Sequence, residues 1–116
     1  MTPKDTLKIG SKIFNSRLMI GTGKYQSPQI MVDSLESSKS EIITVAIRRI
    51  KNMDKDSNLL QHINWSKYWM LPNTAGCKNS EEAIRIALLG RELAKLSGQE
   101  DNNFIKLEVI PDVKYL

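Results

Sequence analysis

The sequence predicts an α/β protein built on parallel strands, and three observations carry that prediction. Strand-like and helix-like patterns alternate four times along the 116 residues, the order that parallel β-α-β units with right-handed crossovers require. The segment Glu41 to Ile50 holds Ile42, Ile43, Val45, Ala46 and Ile47, a near-continuous apolar run of the kind found in strands covered on both faces. Between Ser80 and Leu96, Ala83, Ile86, Ala87, Gly90, Leu93 and Ala94 recur at helical spacing and form a small-residue stripe suited to packing on a sheet. Four parallel strands make half of a doubly wound sheet or half of a (β/α)8 TIM barrel. A whole barrel takes about 250 residues.

Taken in order, Leu7-Lys8-Ile9 and Lys12-Ile13-Phe14, joined through Gly10-Ser11, read as a short β-hairpin ahead of the main fold. Arg17 to Gly23 reads as the first core strand, ending in a glycine turn. Ser27 offers an N-cap with Pro28 at the first helical position, and a helix runs through Ile30, Met31, Val32 and Leu35 to the polar stretch 37–40. The apolar run Glu41–Ile50 is the second strand. A polar segment, Lys51 to Ser57, and a short helix around Leu59–Ile63 follow. Trp69 to Thr74 is a brief third strand. Asn79 with Glu82 three residues on resembles a capping box and opens the clearest helix, which Gly98 ends.

The last strand is the most informative. In Ile105-Lys106-Leu107-Glu108-Val109-Ile110 apolar and polar side chains alternate with period two. Ile105, Leu107 and Val109 share one face; Lys106, Glu108 and Ile110 share the other. Lysine and carboxylate are then about 7 Å apart, Cα to Cα, on one side of the strand. On a solvated face the pair is ordinary surface. Inside a parallel barrel it is an amine beside an acid, poised for chemistry.

Composition sets modest bounds. No apolar run approaches the roughly 18 residues of a membrane span, and residues 1–5 show no apolar signal region. Cys77 is the sole cysteine, which excludes an internal disulfide and fits a reducing compartment. The net charge of +4 suits an anionic ligand, but the basic residues are scattered and no aromatic stacking series accompanies them, so nucleic acid is not expected. The abundance of Ile, Lys and Asn suits an AT-rich genome.

Four motifs match a known family in order and spacing. Gly21-Thr22-Gly23-Lys24-Tyr25, Thr44-Val45-Ala46-Ile47-Arg48-Arg49, Leu71-Pro72-Asn73-Thr74-Ala75-Gly76 and Ile105-Lys106-Leu107-Glu108-Val109-Ile110-Pro111-Asp112 resemble thiazole synthase of thiamin biosynthesis. The resemblance covers essentially all of residues 1–116, which correspond to a little under half of the family's usual length. It implies the N-terminal half of a (β/α)8 TIM barrel: four parallel strands behind a short hairpin, with the later strands, a catalytic aspartate and the phosphate-binding loops absent. It also implies formation of the thiazole phosphate from 1-deoxy-D-xylulose 5-phosphate, dehydroglycine and the thiocarboxylate of a ubiquitin-like sulfur-carrier protein. By the family's pattern, Lys106 forms a Schiff base with the sugar ketone and Glu108 is its acid/base partner. The full form is expected to be a homo-oligomer without cofactor, metal, nucleic-acid or membrane partner, in bacterial cytoplasm or plastid stroma. The 116 residues alone are expected to be inactive.

Elementary chemistry is consistent with that transfer. An amine attacks a carbonyl only when unprotonated, and a free lysine, with a pKa of about 10.4, is almost wholly protonated at neutral pH. Desolvation in a barrel favours the neutral amine and so supplies the nucleophile; a nearby carboxylate can shuttle protons next to the imine. There is a tension: an anionic Glu108 close by favours the ammonium. Either burial dominates, or the carboxylate is protonated or turned away.

Other features have plainer readings. Gly21-Thr22-Gly23-Lys24 is superficially similar to a phosphate loop, yet the Walker pattern requires glycine where Leu18 stands. It reads as a strand-to-helix turn, with lining of the active site as the alternative. Arg48 and Arg49 meet an anion or a structural ion pair; Asn73 and Thr74 bind ligand or satisfy loop backbone. Cys77 reads as a small buried hydrophobe, His62 lacks companions at metal-ligand spacing, and Trp65, Tyr68 and Trp69 read as packing. Two rival functions stand beside the main one. One is another Schiff-base enzyme of sugar phosphates, for which omission of the sulfur carrier discriminates; the other is a non-catalytic truncated copy, for which the reading frame beyond Leu116 decides.

Overall fold

A computed structural model describes residues 5–50, 60–112 and 114, the side chains of residues 49 and 50 excepted. Strands β1 (Leu7–Ile9) and β2 (Lys12–Phe14) pair antiparallel as a hairpin, with Leu7 opposite Phe14. The turn rests on Gly10 at φ +60°, a conformation glycine adopts without a Cβ penalty. Strands β3 (Met19–Gly21), β4 (Ile42–Ala46) and β5 (Trp69–Asn73) form a parallel sheet in that order. The expected alternation of strand and helix is therefore present, with the strands in sequential order.

Helix α1 (Pro28–Ser38) starts as its sequence signals. The Ser27 side chain accepts from the Ile30 N–H at 3.2 Å, and Pro28 occupies the first turn. It ends on Lys39, left-handed at φ +56°. Helix α2 (Ile47–Ile50) is a single turn directly after β4. The expected second strand is thus too long: Ile47 to Ile50 is helical. The apolar run cannot reveal this, because β4 stops where β5 stops, Ala46 being in register with Asn73, the last residue of β5. Ile47 stays buried in the helix-side core without being in the sheet. The polar segment 51–57 and Leu59 lie outside the described residues; residues 60 and 61 are helical.

Helix α3 (Ser80–Leu96) has Asn79 as N-cap, accepting from Glu82 N–H at 2.9 Å. The Glu82 carboxylate reaches the N–H of Lys78 instead of that of Asn79, at 2.8 Å, so the reciprocal arm of the box lands one residue early. Glu81 and Glu82 in the first turn and Lys95 in the last complement the helix dipole. At the other end Gln99 N–H bonds the Ala94 carbonyl and Gly98 N–H that of Lys95, with Gly98 at φ +92°: a Schellman motif. This turn delivers the Gln99 side chain back under β5.

Alternation splits the sheet into two faces. Ile43, Val45 and Met70 pack towards the helices with Met31, Leu35, Cys77, Ala83, Ile86 and Ala94. Ile42, Trp69 and Leu71 face the other way and are covered by the hairpin through Phe14, Leu7 and Ile9, with Phe104 beside them. Phe104 meets Trp69 edge-on, centroids 5.6 Å apart, and Phe14 at 6.1 Å. Lys12 sits 3.9 Å over the Trp69 ring. An exposed ion pair, Arg17 to Asp5, holds the Asp5 carboxyl below its usual range through the hydrogen bond first and the charge second; at the surface such a pair contributes little.

Gly90 marks the closest approach of α3 to β5. A Cβ there would lie 2.7 Å from the Pro72 Cβ and 3.4 Å from the Ile105 Cδ1. Alanine improves helix propensity by about 1 kcal/mol, but this contact forces the helix off the sheet. Gly90→Ala is expected to cost a net of roughly 1–2 kcal/mol, read as a lower denaturation midpoint in a full-length protein carrying this chain. An unchanged or raised midpoint would show that the sheet yields instead.

Candidate functional site

The segment carrying Lys106 lies alongside β5, parallel to it, but it is not a regular strand. Its sole ladder pairing among the described residues is a bridge between Lys106 and Asn73. Two backbone bonds make it: Lys106 N–H to the Pro72 carbonyl at 2.8 Å and Thr74 N–H to the Lys106 carbonyl at 3.2 Å. The expected fourth strand is therefore reduced to one register point, and the reasons are local. On the N-terminal side the next ladder donor would be residue 72, and proline has no N–H to give. On the C-terminal side a threonine hydroxyl takes the place of a carbonyl.

Buried polar side chains finish the edge where the ladder fails. Gln99 Oε1 accepts from Met70 N–H at 3.1 Å, and Gln99 Nε2 donates to the Trp65 and Tyr68 carbonyls. Asn102 Nδ2 donates to the Met70 carbonyl at 2.7 Å and to Gln99 Oε1, while Asn102 Oδ1 accepts from Phe104 N–H. Both residues are buried, and every one of these bonds satisfies a group that would otherwise be stranded. Sequence reasoning passed over both residues. A pair of amides in a loop just after a helix and just before a strand was the available signal.

Register determines where Lys106 sits. Residues in register on parallel strands share a face, so Lys106 lies with Asn73, Ala46 and, two residues back, Leu71 and Thr44. This is the face away from the helices. Ile105, on the opposite face, packs at Gly90 of α3; Leu107 and Val109, further along that face, are exposed. Lys106 is exposed at the rim of an open hollow of about 430 Å³, otherwise lined by Ile9, Met19, Ile42, Leu71, Asn103, Phe104 and Ile105. The hollow lies on the face away from the helices and is mainly apolar.

Glu108 is half-buried and its carboxylate is engaged, with Oε2 accepting from Gly76 N–H at 3.1 Å. Lys106 and Glu108 are absent from the ion pairs of the described residues. Of the ways to relieve the conflict between acid and amine, the structure has the carboxylate turned onto backbone. Arg48, exposed in α2 just past β4, donates from its guanidinium to the Gly76 carbonyl and enters no ion pair among the described residues. The side chain of Arg49 lies outside the described residues.

Thr74, fully buried, donates its hydroxyl to the Glu108 carbonyl and accepts from the Glu108 N–H, both at 2.8 Å. Asn73 Oδ1 accepts from Ala75 N–H. Both side chains therefore serve loop backbone, one of the two roles expected for them. Residues 22–27 form the turn between β3 and α1, with Lys24 left-handed at φ +66°. Cys77 is buried in the helix-side core, which suits its reading as a small hydrophobe, and Trp65 and Tyr68 pack there too. His62 is exposed, and no group of three or more potential metal ligands occurs among the described residues. No described helix is long and apolar enough to cross a membrane.

Comparison with known proteins adds the family. A family model described as "Thiazole biosynthesis protein ThiG" matches residues 8–116. A protein named thiazole synthase from Prochlorococcus marinus (strain MIT 9301) is 73% identical over 111 residues, covering 96% of this chain and 42% of the relative. Another of that name, from the subspecies pastoris strain, is 66% identical over 116 residues, covering 100% of this chain and 44% of the relative. A third, from strain SARG, is 63% identical over 112 residues. The chain thus spans less than half the length of the curated relatives it matches. With a family match across residues 8–116 and identities of this size, the chain belongs to the ThiG family of thiazole biosynthesis proteins.

Proposed function

We propose that residues 1–116 are the first part of a thiazole synthase domain, the N-terminal half of a (β/α)8 barrel in which Lys106 is the Schiff-base nucleophile. The observation that carries the reading is the register of Lys106 with Asn73, which sets the amine on the face opposite the helices, beside the apolar hollow. In a closed barrel that face is the interior, and residues at the C-terminal ends of the strands surround the active site. The amine adds to the ketone carbon of 1-deoxy-D-xylulose 5-phosphate, and loss of water leaves an imine. That imine withdraws electrons from the neighbouring carbons. Glu108 then moves protons next to it. Dehydroglycine and the thiocarboxylate of the sulfur carrier supply the remaining atoms, and the working form is a cytoplasmic homo-oligomer.

The test is reductive trapping. In a full-length protein carrying this chain, borohydride with 1-deoxy-D-xylulose 5-phosphate should fix the sugar covalently on Lys106, located by peptide mass. An adduct on another lysine would sink the assignment. The 116 residues alone should trap nothing, because phosphate-binding loops commonly follow the seventh and eighth barrel strands. Efficient trapping by the short chain would show that the remainder is dispensable for imine formation.

A further inference from the structure

The geometry points to Thr74 and Gly76 as a positioning clamp that holds the Glu108 carboxylate away from the Lys106 amine, leaving the amine free to attack a carbonyl. This rests on the nucleophile proposed above and adds what keeps it usable. After the Thr74 N–H to Lys106 carbonyl bond, a regular parallel ladder would continue from Glu108 N–H to the Thr74 carbonyl and from Gly76 N–H to the Glu108 carbonyl. Both bonds are replaced. The Thr74 hydroxyl takes the Glu108 N–H and also bonds the Glu108 carbonyl, each at 2.8 Å. With that carbonyl occupied, the Gly76 N–H goes to Glu108 Oε2 at 3.1 Å.

The turn is held from its other side as well. Gly76 is at φ +88° and its carbonyl accepts from Arg48, whose guanidinium would meet any added Cβ at 3.2 Å. A buried hydroxyl and a glycine N–H thus decide where a carboxylate two residues from the amine points. Left free, that carboxylate could come within the few ångströms at which an opposite charge stabilises the ammonium. Among the described residues the other surroundings of Lys106 are uncharged: Asn73 in register on β5, and Ile9, Met19, Ile42, Leu71, Phe104 and Asn103 around the hollow. Among the described residues Glu108 is therefore the acid whose position matters, and Arg48, on the far side of Gly76, is the charged group packed against the clamp.

The pH dependence of borohydride trapping in the full-length protein tests this. Thr74→Val removes both hydroxyl bonds at similar size and should raise the pH midpoint by about one unit or more, as the released carboxylate pairs with the amine. Thr74→Ser keeps the hydroxyl and should keep the original midpoint. Adding Glu108→Gln to Thr74→Val should bring the midpoint back, since no carboxylate remains to pair. Damage to the fold alone lowers the trapped amount without moving the midpoint. An unmoved midpoint in Thr74→Val, or a raised midpoint that adding Glu108→Gln does not bring back, overturns the clamp. Absence of trapping on Lys106 in the unaltered protein overturns the nucleophile itself.

Discussion

Lys106→Arg in a full-length protein carrying this chain is expected to abolish sugar trapping and lower turnover by roughly 10³-fold or more, with the fold intact. Arginine preserves length and positive charge but stays protonated at any accessible pH, so it cannot add to a carbonyl. The fold should tolerate the change because arginine keeps the charge, and the bonds that hold the residue use its backbone N–H and carbonyl. The paired measurement is therefore a trapping assay beside a denaturation curve. Loss of both together would mean the lysine is structural. Trapping that persists undiminished would place the nucleophile elsewhere.

The largest stability effect is expected at Asn102. Asn102→Ala removes the donor that satisfies the Met70 carbonyl at 2.7 Å and the acceptor that holds Phe104 N–H at 2.9 Å, and leaves Gln99 Oε1 with one partner fewer. A buried polar group left without a partner costs about 1–3 kcal/mol. Asn102 is 2% exposed, so water does not readily replace it. The net loss should be roughly 2–4 kcal/mol, seen in urea as a lower midpoint at unchanged slope. The change should also weaken trapping, because Asn102 and Phe104 set the entry of the Lys106 segment alongside β5. A loss under about 0.5 kcal/mol, the range of ordinary surface changes, would show that the amide network is dispensable.

Much of the fold was legible because its signals are local. Ser27-Pro28 and Asn79 act within one helical turn of themselves, and both caps form as their residue types require. The stripe Ala83, Ile86, Gly90, Ala94 is the buried face of α3 because helical periodicity is a property of neighbouring residues. Period two likewise put Lys106 and Ile105 on opposite faces, as register and packing place them. The end of β4 was not legible, since Ile47 is as apolar as its strand neighbours and only the length of β5 decides where pairing stops. The fourth strand was overestimated for the same kind of reason. Its alternation is real, but its partner offers Pro72 on one side and the Thr74 hydroxyl on the other.

By itself, then, the sequence determined the alternation of strands and helices, their order, the caps, the family and the face on which Lys106 lies. Those depend on spacing along the chain and on residue type. The tertiary structure decided which groups that lysine and its carboxylate meet. The Glu108 carboxylate is turned onto Gly76, 32 residues away, and Glu108's backbone is held by Thr74, 34 residues away. Hydrogen bonds across such separations depend on which backbone groups the sheet leaves unpaired, and no local period records that.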